Sequence, residues 1–153
     1  MNVVGAYGSG PVMFLFQRMQ VIDMITERVD GRIPIVAHAG DSDTITAIKM
    51  AKYAEERRVS AIASLTPYYY LHGRAEIDAH FHRLIDAVNS PVHLYKNPKY
   101  TNYCVTSEQV RALAEHGLKG VKDSSTSIQL IYDLVSATAE FEDFDVLVGS
   151  QTI

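Results

Sequence analysis

GLKGVKDSSTS, residues 117–127, carries a short apolar run that ends on Lys122 and gives way at once to Asp123, Ser124 and Ser125. A surface strand can end this way, with the ammonium snorkelling into water. The same pattern suits a lysine at the end of a buried strand, its amine aimed into a pocket. Lys122 alone does not decide between the two, so the flanking chain must.

Similar runs recur on both sides. Residues 2–4, 33–37, 60–65, 92–95, 118–121 and 145–148 each read as a strand. Several are almost continuously apolar rather than alternating, the pattern of parallel strands covered on both faces. With Gly5, Ala37, Ser64, Tyr95, Lys122 and Gly149 as strand ends, successive ends are 27 to 32 residues apart. That is room for one strand and one helix per unit.

The intervening segments carry helix signals. Residues 44–54 put Ile48, Ala51 and Ala54 on one face, behind Ser42 and Asp43 as caps. Residues 76–88 repeat the pattern with Ile77, Phe81, Leu84, Ile85 and Val88. Thr106-Ser107-Glu108-Gln109 supplies cap chemistry ahead of Val110, Leu113 and Ala114, and Gly117 is a natural stop. Residues 128–137 form one more apolar-striped helix. No linker or shift of composition divides the chain, so 1–153 reads as one domain.

Repeated βα units allow an open doubly wound sheet or part of a barrel. Gly5-Ala6-Tyr7-Gly8-Ser9-Gly10 is glycine-rich but matches neither the dinucleotide fingerprint nor a Walker loop. The residues with chemistry in them follow nearly every strand at its C-terminal end, where a barrel gathers its site. The expectation is α/β: a (β/α)₈ barrel with about six of its eight βα units present.

The composition limits the function. Hydrophobic residues make up 47% of the chain, enough for a real core, and the net charge of −4 argues against nucleic-acid or anionic-membrane partners. No apolar run is long enough to span a bilayer, and the N-terminus has no signal-peptide pattern. Cys104 is the one cysteine, which excludes an intrachain disulfide and fits a reducing cytoplasm; it reads as a buried or half-buried spare thiol.

Four stretches stand out: Gly5-Ala6-Tyr7-Gly8, Leu65-Thr66-Pro67-Tyr68-Tyr69, Leu94-Tyr95-Lys96-Asn97-Pro98 and Gly120-Val121-Lys122-Asp123-Ser124-Ser125. Each is weak alone. Together, in this order and one βα unit apart, they make the chain resemble the dihydrodipicolinate synthase and N-acetylneuraminate lyase family of class I aldolases. The resemblance runs from the second barrel strand to about the seventh. It implies a barrel that joins a lysine to pyruvate or a related 2-oxo acid as a Schiff base, with no cofactor and with dimers or tetramers as the working form. Lys122 matches the family's Schiff-base lysine, Tyr95 its proton-relay tyrosine, and Tyr69 the second tyrosine that in some members crosses into a neighbouring subunit's site.

General chemistry makes these roles reasonable. An amine attacks a ketone only when unprotonated, and an apolar setting disfavours the ammonium. A phenol within reach can move the protons of imine formation and of the carbon–carbon bond step. The chain also departs from the family. The first loop commonly carries small hydroxyl residues followed by Gly-Glu, which hold the substrate carboxylate. Here Ala6 and Tyr7 stand at the hydroxyl positions and Ser9 replaces the acid, leaving the backbone of Gly5 to Gly8 to cradle the carboxylate. The hydroxyl that links the family's relay is therefore missing here unless Tyr7 supplies it. Lys96 stands where Asn is common, and Tyr100 where dihydrodipicolinate synthases place an arginine for the second substrate's carboxylate.

Two other readings compete. A metal-dependent hydrolase or class II aldolase would draw on His38, His72, His80, His82 and His93, but His80 and His82 are two apart on a helix and face different ways. His38 reads as a polar residue lining the mouth, and no metal is expected. A catalytically impaired or truncated barrel that only binds a small carboxylic acid is the alternative that Ala6 and Tyr7 favour. An eight-stranded barrel of this kind needs about 250 residues. Strands one and eight are therefore expected to be missing, with Val3, Val4, Val146, Leu147 and Val148 wet at two open edges.

Overall fold

The strands pair in the order in which they occur. A computed structural model describes residues 1–125 and 127–149, and its elements are β1 (Asn2–Val3), α1 (Leu15–Val29), β2 (Val36–His38), α2 (Thr44–Glu56), β3 (Ala61–Leu65), α3 (Arg74–Asp86), β4 (Val92–Lys96), α4 (Pro98–Thr101), α5 (Ser107–Glu115), β5 (Gly120–Asp123), α6 (Ile128–Thr138) and β6 (Asp145–Val148). They form one six-stranded sheet, β1-β2-β3-β4-β5-β6, parallel throughout. Sequential parallel order with helix between each strand and the next is the wall of a (β/α)₈ barrel, here six of its eight strands. None of the described helices is long and apolar enough to cross a membrane.

Alternation along the strands sorts the side chains. Ala37, Ile62, Leu94 and Val121 share one core cluster with Ile77, Phe81, Leu113 and Leu134 of the helices, so these positions face the helix layer. Their neighbours must face the other way. His38, Leu65, Tyr95 and Lys122 therefore look into the barrel, and the last three stand level, Leu65 paired with Tyr95 and Tyr95 with Lys122.

The helices start where cap chemistry allows. Asp43 accepts from the Thr46 N–H at 2.8 Å, and Thr106 from the Gln109 N–H at 3.2 Å. Two strands begin later than their apolar runs suggest. Residues 33 and 34 stay outside β2, since Pro34 has no N–H to give a ladder. Leu118 N–H closes the end of α5 on the Leu113 carbonyl at 2.9 Å, so β5 starts at Gly120 and takes in Lys122 and Asp123. Helix α1 has no clean apolar stripe because Arg18 stands within it, buried, donating from Nη1 to Asp41 at 3.0 Å and from Nη2 to the His38 and Gly40 carbonyls.

The expected wet edges are found on one side only. Leu147 and Val148 are 40% and 48% exposed on β6. Val3 and Val4 are buried instead, in the same cluster as Ile22 of α1. An open hydrogen-bonding edge leaves a strand's two faces coverable, and α1 covers this one. The chain also folds back over the end of β1: a Cβ on Gly10 would lie 1.7 Å from the Val4 carbonyl oxygen, so only glycine fits there. Cys104 is exposed, contrary to the buried or half-buried setting expected from its sequence.

His80 of α3 is buried between the Thr44 hydroxyl (2.9 Å) and the Ser64 hydroxyl (3.3 Å), and burial, with His72, lowers its pKa to about 4. The unfolded chain takes up this proton near 6.5, the folded chain only near 4. Stability from this site is thus complete above pH 6.5 and drains as pH falls towards 4, by up to about 3 kcal/mol. Urea midpoints measured from pH 7 to 4 should fall less steeply for His80→Gln than for the parent chain; parallel curves would contradict this.

Candidate active site

Parallel pairing of β4 with β5 sets Tyr95 beside Lys122. Lys122 Nζ stands 3.8 Å from the centroid of the Tyr95 ring, a cation over a π face. Asn97 Nδ2 donates to the Tyr95 phenol oxygen at 3.0 Å, and the Ser124 hydroxyl lies near enough to favour the phenolate. Burial raises the phenol's pKa. Ser124, Asn97 and the charge of Lys122 outweigh burial and hold it below the ordinary tyrosine value. His38 meets the Tyr95 ring edge-on at 6.0 Å. Its Nε2 accepts the Leu65 N–H at 3.3 Å; burial first, then the Arg18 and Lys122 charges, keep it neutral down to about pH 3.

The next row of the same ladder faces the helices and pairs Lys96 with Asp123. Their side chains are 2% and 0% exposed, with Nζ 3.0 Å from Oδ2. Oδ2 has no well-aligned hydrogen bond, so this contact acts as an ion pair rather than as a directed bond. Oδ1 accepts from the N–H of Ser125 at 2.6 Å and from its hydroxyl, which pins the turn that follows Lys122. Gly149 completes the setting, since a Cβ there would lie 2.2 Å from Ser124 Oγ and 3.1 Å from Lys122 Cε.

The remaining candidates spread around the mouth. Val4, a β-branched residue at φ 50°, throws the chain into the Gly5–Gly8 turn. Within that turn the N–H groups of Ser9 and Gly10 bond back to Ala6 and Gly5, while those of Ala6, Tyr7 and Gly8 make no backbone bond. Tyr7 itself is 97% exposed, and the hydroxyl near the Tyr95 phenol is Ser124's. Tyr69 is 77% exposed and packs edge-on against Tyr70. Tyr68, its half-buried neighbour, lines an open cleft of about 380 Å³ together with Ala6, Leu65 and Tyr100. Among the described residues no three His, Cys, Asp or Glu side chains gather as a metal would need. His80 is buried, whereas His82 stacks on His116 at 3.9 Å.

This arrangement has relatives. A model of the dihydrodipicolinate synthetase family matches residues 1–153. The chain belongs to that family. The 4-hydroxy-tetrahydrodipicolinate synthase of Macrococcus caseolyticus is 32% identical over 147 residues, 95% of this chain and 49% of the relative. That of Methanopyrus kandleri is 29% identical, over 95% of this chain and 48% of its own. A pyruvate complex of the Acinetobacter baumannii dihydrodipicolinate synthase superposes with a TM-score of 0.91 at 28% identity, over 97% of this chain and 50% of that one. The chain therefore spans about half the length of the relatives it matches.

As a dihydrodipicolinate synthetase family member, the chain brings together Lys122 and Tyr95 and leaves Tyr69 and Tyr7 on the outer rim. Reading the sequence missed Asn97, Ser124 and the partnership of Lys96. Asn97 had a visible signal, two residues beyond Tyr95 in LYKNP. Lys96–Asp123 had none, because two charges on different strands reveal their pairing only through register.

Replacing Lys96 by Met leaves the Asp123 carboxylate buried without a counter-charge. The expected loss is about 3–5 kcal/mol of unfolding free energy, largely recovered in Lys96→Met/Asp123→Leu. Urea unfolding measures both, and an unchanged midpoint for Lys96→Met would show that the pair is not buried.

Proposed function

We propose that this chain carries the imine-forming site of a class I aldolase-type lyase acting on pyruvate or a related 2-oxo acid. The observation that supports it above all is the Lys122 amine 3.8 Å from the Tyr95 ring, on the barrel side of adjacent strands. Lys122 attacks the C2 carbonyl, and Tyr95 supplies the proton that lets the carbinolamine lose water. A phenol held below its ordinary pKa gives up that proton more readily and can take one from C3 of the iminium. The iminium is the electron sink that makes C3 a nucleophile. Ser124 and Asn97 hold the phenol in position, and the N–H groups of Ala6, Tyr7 and Gly8 face the substrate carboxylate. His38 stays neutral beside the ring and adds no second cation.

We further infer that the working form is a homo-oligomer. The exposed Tyr69, Tyr70 and Leu71 at the mouth favour burial against a second copy. Sedimentation at micromolar concentration should give a species heavier than the 17.0 kDa chain; a cooperatively melting monomer would count against it.

Borohydride added with pyruvate should leave one reduced adduct on the chain, detected by intact mass, and Lys122→Arg should abolish it, because a guanidinium forms no imine. Adduct on the Lys122→Arg protein would move the site. Pyruvate binding without any adduct would support a barrel that only holds a small acid.

A further inference from the structure

We propose that the cleft beside Tyr95 receives an uncharged, apolar aldehyde as the partner of the Lys122-bound enamine. The inference rests on the imine reading above and names the second substrate of that same site. Leu65 is the ladder partner of Tyr95, which is in turn the partner of Lys122, so a cleft walled by Leu65 opens on the Tyr95 flank of the amine, two strands away. Its other walls are Ala6, Pro11 and Val12 from the first loop and the rings of Tyr68 and Tyr100. At about 380 Å³ it has room for a ring-sized molecule.

Charge decides against an anionic partner. Among the described residues that line it none carries a charge, and their polar side-chain groups are two phenols and the Ser9 hydroxyl. Arg18 is the cation that acts on Tyr68, but its guanidinium is already engaged by Asp41 at 3.0 Å and by the carbonyls of His38 and Gly40. A carboxylate entering here would lose water and gain no free counter-charge, with Asp41 close enough to repel it. An aromatic or branched aliphatic group instead meets apolar wall and ring faces. Burial, with the Asp41 charge, raises the Tyr68 pKa, so this phenol stays protonated at neutral pH as a donor for the aldehyde oxygen.

The step balances without a further reagent. The enamine's C=C pair forms the bond from pyruvate C3 to the aldehyde carbon, while the aldehyde C=O pair moves onto oxygen, which takes a proton. The nitrogen lone pair restores the iminium, and water then releases a 4-hydroxy-2-oxo acid and the Lys122 amine.

The test supplies the chain with pyruvate and either benzaldehyde, uncharged, or succinic semialdehyde, anionic, and follows the 4-hydroxy-2-oxo acid by mass spectrometry. Borohydride trapping with pyruvate alone runs in parallel. Trapping together with at least tenfold faster product from benzaldehyde is the expected result, and Tyr100→Arg should shift the ratio at least tenfold towards the anion. Trapping with equal or faster product from succinic semialdehyde, or with product from neither aldehyde, overturns the inference and leaves the imine reading standing. If nothing traps, the imine reading falls and binding decides the cleft. Saturation transfer from protein methyl groups to benzaldehyde above that to succinic semialdehyde upholds an apolar cleft, and transfer no greater overturns it.

Discussion

The pairing register of β4 with β5 is the constraint from which the rest of the site follows. It sets Tyr95 against Lys122 on the barrel face and, one residue on, Lys96 against Asp123 on the helix face. In a structure of period two these placements cannot be made separately. A slip of β5 by one residue would send the amine into the helix layer and Asp123 into the barrel, away from Lys96. The buried ion pair gains little net stability from its charges, because desolvation offsets most of the attraction. Its effect is on alternatives: a slipped register would strand both charges away from each other. The same carboxylate holds Ser125, so the turn after Lys122 is tied to the strand that carries the lysine.

A second buried cation acts in the same way on the other side of the mouth. Arg18 joins α1 to the loop after β2 through Asp41 and two carbonyls. Both pairs sit at the C-terminal ends of strands, whereas the strand interiors are mostly Ala, Ile, Leu and Val, with Ser64 and His93 as buried polar residues among them. The barrel thus concentrates polar burial, and the strain at Val4, at the end where chemistry is proposed. The apolar remainder of the core carries the stability that this end gives up.

How much of this was legible follows from what each feature depends on. Strand spacing and helix caps are local, and the six strands, four of the helices and the β4–β5 juxtaposition could be read directly. Lys122 and Tyr95 were legible because each ends an apolar run one unit from the next. Helix α1 was not, because a buried arginine interrupts its stripe and only the tertiary partner Asp41 makes that tolerable. Val3 and Val4 misled for a related reason: an open edge is a property of backbone pairing, while burial of their side chains depends on α1. Tyr7 could be assigned the relay hydroxyl from sequence position alone; the fold turns it to solvent and brings Ser124 to the phenol instead.

The wall around Lys122 is asymmetric, and that asymmetry bears on direction. On one side stands Tyr95 with Asn97, Ser124 and, beyond the ring, His38. On the other side the ladder partner of Lys122 is Leu147, which offers no proton donor or acceptor. Among the described residues, the groups able to move a proton at the proposed Lys122 imine lie towards β4 and the turn after β5. The C3 face turned to Tyr95 is the one it can deprotonate. Leu65, also on that flank, puts the proposed aldehyde cleft beside the phenol rather than across from it. Proton transfer and carbon–carbon bond formation would then use the same face of the enamine, with Tyr95 retained between them.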